Sequence, residues 1–264
     1  MMRALWTASS GMTAQQLNVD TISNNLANVN TTAYKKERAE FKDLLYETIF
    51  RAHVVDGQGR PVNLQVGHGV RPSAIVKTFL GGNMQHTGNP MDLAIDGEGF
   101  FVVRDQNDNL FYTRDGSFKL SIDGDEASIV TSDGYFLQVE GADAELGAEI
   151  KEINVDENGM LTVRRNDDTL DEIGLIDMIR FPNPAGLESI GRNLYKMTSA
   201  SGEPVEAEEP GVNGLIMQGY LESSNVQVVE EMVKLITAQR AYEINSKSIQ
   251  TVDEMLQMAN NLRR

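Results

Sequence analysis

The sequence predicts an α+β fold in which long N- and C-terminal helices pair as a coiled-coil-like end domain, with a central mostly-β domain between them. Three observations carry that prediction. Apolar residues recur at spacings of three and four near both ends, the middle switches to period two with turn dipeptides between the runs, and charge is almost missing from the start of the chain. From Ala4 to Tyr34 the only charged side chain is Asp20, whereas acidic residues crowd the middle and the stretch Glu203 to Glu209.

The first helix follows from a heptad seam. With Leu5 at position a, the a positions hold Met12, Val19 and Leu26 and the d positions hold Ala8, Gln15, Ile22 and Val29, so seven of eight are apolar. At 1.5 Å per residue such a helix runs about 40 Å, too long for a small core to wrap, so it needs a partner helix. The other end supplies one, because Val228, Met232, Leu235, Tyr242, Ile249 and Leu256 repeat at three, four or seven residues. Ser223, Ser224 and Asn225 offer N-cap oxygens, and Glu230 and Glu231 suit the positive end of the helix dipole.

Between the helices, FFVVR, LFYTR, SFKLSI, ASIVT and YFLQV are separated by QNDN, DG, DGDE and SDG, which reads as strands and hairpin turns. Glu152–Val155, Met160–Arg164, Gly174–Arg180 and Asn193–Met197 extend the pattern. The segment 46–71 has four Gly and one Pro and keeps neither period, so it is expected to be an extended connector or a long hairpin. The expected organisation is therefore a discontinuous helical domain (1–45 and 222–264), a connector (46–71) and a mostly-β domain (72–221).

Composition excludes several functions. A formal net charge of -16 and no basic stripe argue against nucleic acid. Zero cysteines exclude disulfides and thiolate metal sites. No run is apolar enough for membrane insertion, and MMRALWTASSGMTA lacks the apolar core of a cleaved signal peptide. Asp105, Asn107 and Asn109 open like a calcium loop, but Leu110 stands where the glycine belongs, so a polar hairpin tip is expected, as are turn roles for Asp123 and Asp125. His53, His68 and His86 have no metal-ligand spacing. Asp96-Gly97-Glu98-Gly99-Phe100 precedes a strand, where a phosphate site needs a helix N-terminus. No catalytic residue, metal or cofactor is expected.

The non-seam faces of the first helix carry amides, among them Asn24, Asn25 and Asn28, where a water-facing helix carries Glu and Lys. Amides donate and accept across an interface without the desolvation cost of an unpaired charge. Self-association is the expectation, with the terminal helices frayed in the isolated monomer.

Three long stretches, ALWTASSGMTAQQLNVDTISNNLANVNTTAYKKERAEF, TGNPMDLAIDGEGFFVV and QGYLESSNVQVVEEMVKLITAQRAYEINSKSIQTVDEML, resemble the bacterial flagellar axial proteins, most of all those of the distal rod. RFPNPAGLESIGRNLYKMTSASGEP is in register too, and LQVGHGVR looks like a distal-rod-type insertion. The resemblance implies a structural subunit without enzymatic activity, a helical homopolymer forming a hollow drive shaft that transmits torque from motor to hook. It implies export by the flagellar type III apparatus without a cleaved signal peptide, and a place in the periplasmic rod of the basal body. The implied partners are copies of itself, proximal rod proteins, hook protein and the surrounding P and L ring proteins. The alternatives are a proximal rod or hook-type axial subunit, or a β-domain binding module oligomerised by its coiled coil.

Carried onto this sequence, the resemblance implies that Leu5, Met12, Val19, Ile22, Leu26 and Val29 hold the first helix against Met232, Leu235, Tyr242, Ile249 and Leu256. Gln239 and Arg240 fall in the family's AQRAYE motif, and Val62, Leu64, Val66 and Val70 are expected as connector contacts with neighbouring subunits. One departure is Ala33 in NTTAYKK, where the family pattern has glycine, which makes a positive φ there less expected.

Overall fold

Helix α1 spans Met2–Ala27 and α2 spans Val228–Asn261, and the two pack on each other. Both are seen in a computed structural model that describes residues 2–51, 53–55, 58–60, 62–123, 126–140, 142–144, 146, 150–166, 169–206 and 214–261. Two contacts fix the helix direction. Asn25 meets Glu231 while Gly11 meets Asn245, so the helices run antiparallel.

Helix α1 stops two residues earlier than the heptad pattern suggests. Thr31 N–H donates to Asn28 O in a turn, so Asn28 and Val29 lie beyond the helix. The start of α2 also differs from expectation, because Ser223, Ser224 and Asn225 do not cap it. Ser223 Oγ donates to Asn83 O and the Asn225 amide is engaged elsewhere, so the helix begins after Gln227, whose carbonyl accepts from Glu231 N.

The chain divides into two packed units. One comprises Met1–Ala27, Glu37–Lys77 and Gln227–Arg264, the other Asn28–Lys36 and Thr78–Val226. In the first unit, 37–77 form an antiparallel ribbon: β1 (Glu37–Asp43) pairs β6 (Val70–Lys77), β2 (Tyr46–Phe50) pairs β5 (Leu64–Gly67), and β3 (His53–Val55) pairs β4 (Gln58–Arg60). Residues 72–77, grouped from sequence with the β domain, instead belong to this ribbon. The sequence period fails here for a physical reason. Every residue of β2 is exposed, so neither face selects for apolar side chains.

The second unit holds β7 (Met84–His86), β8 (Leu93–Asp96), β9 (Phe100–Arg104), β10 (Leu110–Thr113), β11 (Lys119–Asp123), β12 (Glu126–Val130), β13 (Phe136–Val139) and β14 (Ala142–Asp143). After these come β15 (Ile150–Val155), β16 (Met160–Arg165), β17 (Leu170–Leu175), β18 (Met178–Arg180), β19 (Glu188–Gly191), β20 (Leu194–Lys196), β21 (Val205–Glu206), β22 (Leu215–Gln218) and β23 (Tyr220–Glu222). The main sheet runs β11-β12-β13-β9-β10-β20-β19, β15 to β17 form a second sheet, and β8 pairs β22 as β7 pairs β23. Its core interleaves Leu93, Ile95, Phe101, Val103, Leu137, Leu161, Val163 and Ile216, with a second cluster around Phe100, Tyr112, Phe181 and Tyr195. The 105–109 segment is the polar tip of the β9–β10 hairpin, closed by Asp105 N donating to Asn109 O. Asp125 and the His53 side chain lie outside the described residues.

Candidate assembly interface

Burial along α2 marks the stripe that faces α1. Glu231, Ala238 and Val252 are buried and Leu235, Asn245, Ile249 and Leu256 half-buried, which alternates steps of three and four once Tyr242 is included. On α1, Ala8 and Ile22 are buried and Leu5, Met12, Val19 and Leu26 half-buried. Close approach is permitted at Gly11, where a Cβ would come within 2.8 Å of Asn245 Nδ2. Sequence reasoning passed over Ala238, Asn245 and Val252, since small and polar residues at seam positions give no apolar signal.

Met232 lies off that stripe and is 50% exposed, and Gln239 and Arg240 are exposed. They share the open faces of the pair with Trp6, Val233, Ile236, Ile244 and Met258, all large apolar side chains in water. Trp6 is 72% exposed. No helix among the described residues is long and apolar enough to cross a membrane. On the ribbon, Val62 and Leu64 are exposed and Val66 and Val70 half-buried.

The amides divide. Asn25 is buried and works within the chain, its Nδ2 donating to Glu37 O (2.8 Å) and to Glu231 Oε2 (3.1 Å) while its Oδ1 accepts from Glu37 N (2.8 Å). Asn25 thus ties the end of α1 to the first ribbon strand and to the first turn of α2. Glu231 is 1% exposed and also meets Lys234 at 3.2 Å. Asn24 donates to Glu37 Oε2, and Asn28 accepts from Thr31 Oγ1.

In the second unit the segment 28–36 is held by a buried triad. Lys35 Nζ donates to Glu222 Oε1 at 2.6 Å and to Leu80 O at 2.9 Å, and Arg114 Nε donates to Glu222 Oε2 at 2.9 Å. Their side chains are 0%, 1% and 2% exposed for Lys35, Glu222 and Arg114. Arg114 also donates to the carbonyls of Ile95, Gly97 and Gly99. The glycine-rich turn therefore turns its carbonyls to a cation, the opposite of a phosphate cradle.

Burial, helped by the like charge of Arg114, lowers Lys35 to about 8 against the pull of Glu222. Burial pushes the Glu222 carboxyl up, but Arg114, Lys35 and the Gly82 N–H outweigh it and hold the group below its usual range. The asymmetry is chemical: Glu222 faces two cations, while Lys35 faces one anion and one cation.

Ala33 sits against this triad with φ +54° and 1% exposure, its N–H donating to Glu222 O at 2.8 Å. Alanine has taken the left-handed conformation that the sequence argued against. Burial and that hydrogen bond over-determine the strain. Asn225 completes the arrangement, accepting from Lys36 N and donating to Thr78 O and Leu80 O.

Charge is partitioned between the units. The helix-and-ribbon unit has 12 Lys+Arg against 11 Asp+Glu, and the other has 11 against 28. The near-neutral unit is also the one with exposed apolar helix faces.

Three family profiles match the chain: "Flagella basal body rod protein" over 5–35, "Flagellar hook protein FlgE/F/G D1 domain" over 94–163, and "Flagellar basal body rod FlgEFG protein C-terminal" over 217–262. Among curated relatives, the flagellar basal-body rod protein FlgG of Borreliella burgdorferi is 49% identical across the whole of both chains. FlgG of Caulobacter vibrioides is 43% identical over 99% of this chain and all of its own. FlgG of Bacillus subtilis is 36% identical over the full length of both.

Proposed function

The chain belongs to the FlgG family of flagellar basal-body rod proteins and is a structural subunit of the flagellar rod, and from that premise we propose that its terminal helices pack copy against copy into the wall of a hollow distal rod. The observation that carries this reading is the pair of helices with Trp6, Met232, Val233, Ile236, Ile244 and Met258 exposed outside its own seam. Among the described residues of one chain nothing covers those side chains, and in a tube of like chains the pairs cover one another as a coiled-coil-like layer. The unit that carries them is nearly neutral, so packing many copies gathers little net charge at that layer.

In this reading Leu5, Met12, Val19, Ile22, Leu26, Leu235, Tyr242, Ile249 and Leu256 hold the helix pair together, while Met232, Gln239 and Arg240 face other copies. The ribbon, through Val62, Leu64, Val66 and Val70, stiffens the tube against neighbouring subunits. The partners are proximal rod proteins below, hook protein above, and the P and L rings around a shaft that crosses the periplasm. The type III export apparatus delivers the chain, and torque transmission is its work.

Electron microscopy of concentrated protein tests the reading. Straight tubes are expected, and closed oligomers alone would overturn it. Deleting 49–65 is expected to give curved rods; unchanged straightness would remove the stiffening role from the ribbon.

A further inference from the structure

The motif Val66-Gly67-His68-Gly69-Val70 lies where the β1–β6 ladder passes into the β2–β5 ladder. Leu44 N donates to Gly69 O at 2.9 Å, and His68 Nδ1 lies 3.0 Å from Leu45 O. The outer arm, 46–67, is a two-stranded hairpin with an exposed β2, and such a hairpin is marginal in water by itself. Its order has to come from its base.

That base rests on α1. A Cβ on Gly69 would meet Ser10 Oγ at 2.1 Å, Ser10 Cβ at 3.2 Å and Thr7 Cα at 3.5 Å, and the residue has φ +113°. Only glycine combines that backbone with that approach. Val70 N donates to Ser10 Oγ at 3.3 Å, and Arg3 forms an ion pair with Glu47, whose carboxylate also lies 3.9 Å from His68 Nε2. Arg3, Thr7 and Ser10 are spaced by four and three, one face of a helix. If α1 is not helical, these three side chains no longer line up under the ribbon.

We propose that Arg3, Thr7 and Ser10 of α1 form the seat of the ribbon's outer arm, so that 46–67 takes its place only when α1 is helical. Joined to the self-assembly reading above, on which this step rests, the arm is set by the same event that orders α1. It is then a surface that assembled chains present and dispersed chains lack.

The test orders α1 without assembly. The chain has no cysteine, so Gly11→Cys with Asn245→Cys, positions where a Cβ at 11 would lie 3.3 Å from Asn245 Cγ, staples α1 to α2 in the dispersed full chain. Hydrogen exchange is then read in α1 and at Thr48, Gln65 and Val66. In the oxidised protein both regions are expected to be protected. Adding Gly69→Ala is expected to keep α1 protected while arm amides exchange at least about tenfold faster, an amount set by strain of order 1 kcal/mol or more. Further adding Ser10→Gly restores part of that protection. Gly134→Ala, at φ +86° with nothing within 4 Å of its Cβ, controls for loss of a left-handed glycine elsewhere. Arm exchange unchanged by Gly69→Ala, or an arm protected in a reduced chain whose α1 exchanges freely, overturns the proposal. Sedimentation of the unstapled chain decides self-assembly separately: a chain that never sediments overturns that reading, while the exchange comparison still decides the seat.

Discussion

Replacing Glu222 by Gln is expected to unfold the β unit far more readily than replacing Lys35 by Met, although both break the same ion pair. Glu222 is the only anion among three buried charged side chains, and its loss leaves Lys35 and Arg114 buried together without a counter-charge. Stranding buried charge in this way costs about 3–5 kcal/mol. Lys35→Met leaves the 2.9 Å contact of Arg114 with Glu222 intact and removes a cation that is held in place at a cost. The drop of Lys35 from 10.5 to about 8 sets that cost on the order of 3 kcal/mol. Lys35→Met is thus expected to be neutral or mildly stabilising, offset by the bare Leu80 carbonyl. In calorimetry of the full chain, Glu222→Gln should lower the β-unit transition by roughly 6–20 °C, with Lys35→Met within a few degrees of the parent. Equal losses in the two variants, or a larger loss for Lys35→Met, would refute the reasoning.

The same triad predicts a pH signature. Between about 8 and 10.5 the unfolded chain binds more protons at Lys35 than the folded chain, so stability rises with pH across that window, and urea titrations of Lys35→Met should lose the rise. On the acid side, the lowered Glu222 contributes stability above the ordinary 4.5 that disappears as pH falls through its folded value, which Glu222→Gln should abolish. Ala33→Gly relieves a left-handed alanine but gives up a buried methyl of similar worth, so it should change stability by less than about 1 kcal/mol, whereas Ala33→Val should lower it by more than about 1 kcal/mol in the same titrations. Trp6→Ala, at an exposed site, should leave monomer stability within about 0.5 kcal/mol yet raise the concentration needed for sedimentable assembly at least about tenfold. Raising NaCl from about 50 to 500 mM should lower that concentration in the parent, since screening relieves repulsion among the acidic β units.

What could be seen in the sequence was whatever repeats. The α1 seam from Leu5 to Leu26 and the strands from Phe100 to Val139 follow from periodicity, because burial on one face selects one residue class at one spacing. What could not be seen was whatever depends on a single distant partner. Asn25 looks like Asn24 on the page, yet one is buried between Glu37 and Glu231 and the other is exposed. Lys35, Arg114 and Glu222 are separated by dozens of residues, and a charged residue in sequence reads as surface. The ribbon's outer arm showed only as an extended connector or long hairpin without strand bounds, because β2, exposed at every residue, has no alternation to display. Ala33 misled for another reason: a local preference of about 1 kcal/mol yields to burial and a hydrogen bond.

The helix-and-ribbon unit is assembled from three separate stretches of chain, and its two helices come from opposite ends. During synthesis from the N-terminus, α1 has the ribbon beside it but no partner helix until the residues from Gln227 on have followed. A chain cut short before Gln227 keeps much of its β core, but Ala8 and Ile22 lose α2 and Asn25 keeps only its bonds to Glu37. The antiparallel pair thus ties the exposed apolar face to chain completeness: a subunit broken before Gln227 lacks Met232, Val233, Ile236, Ile244 and Met258 together.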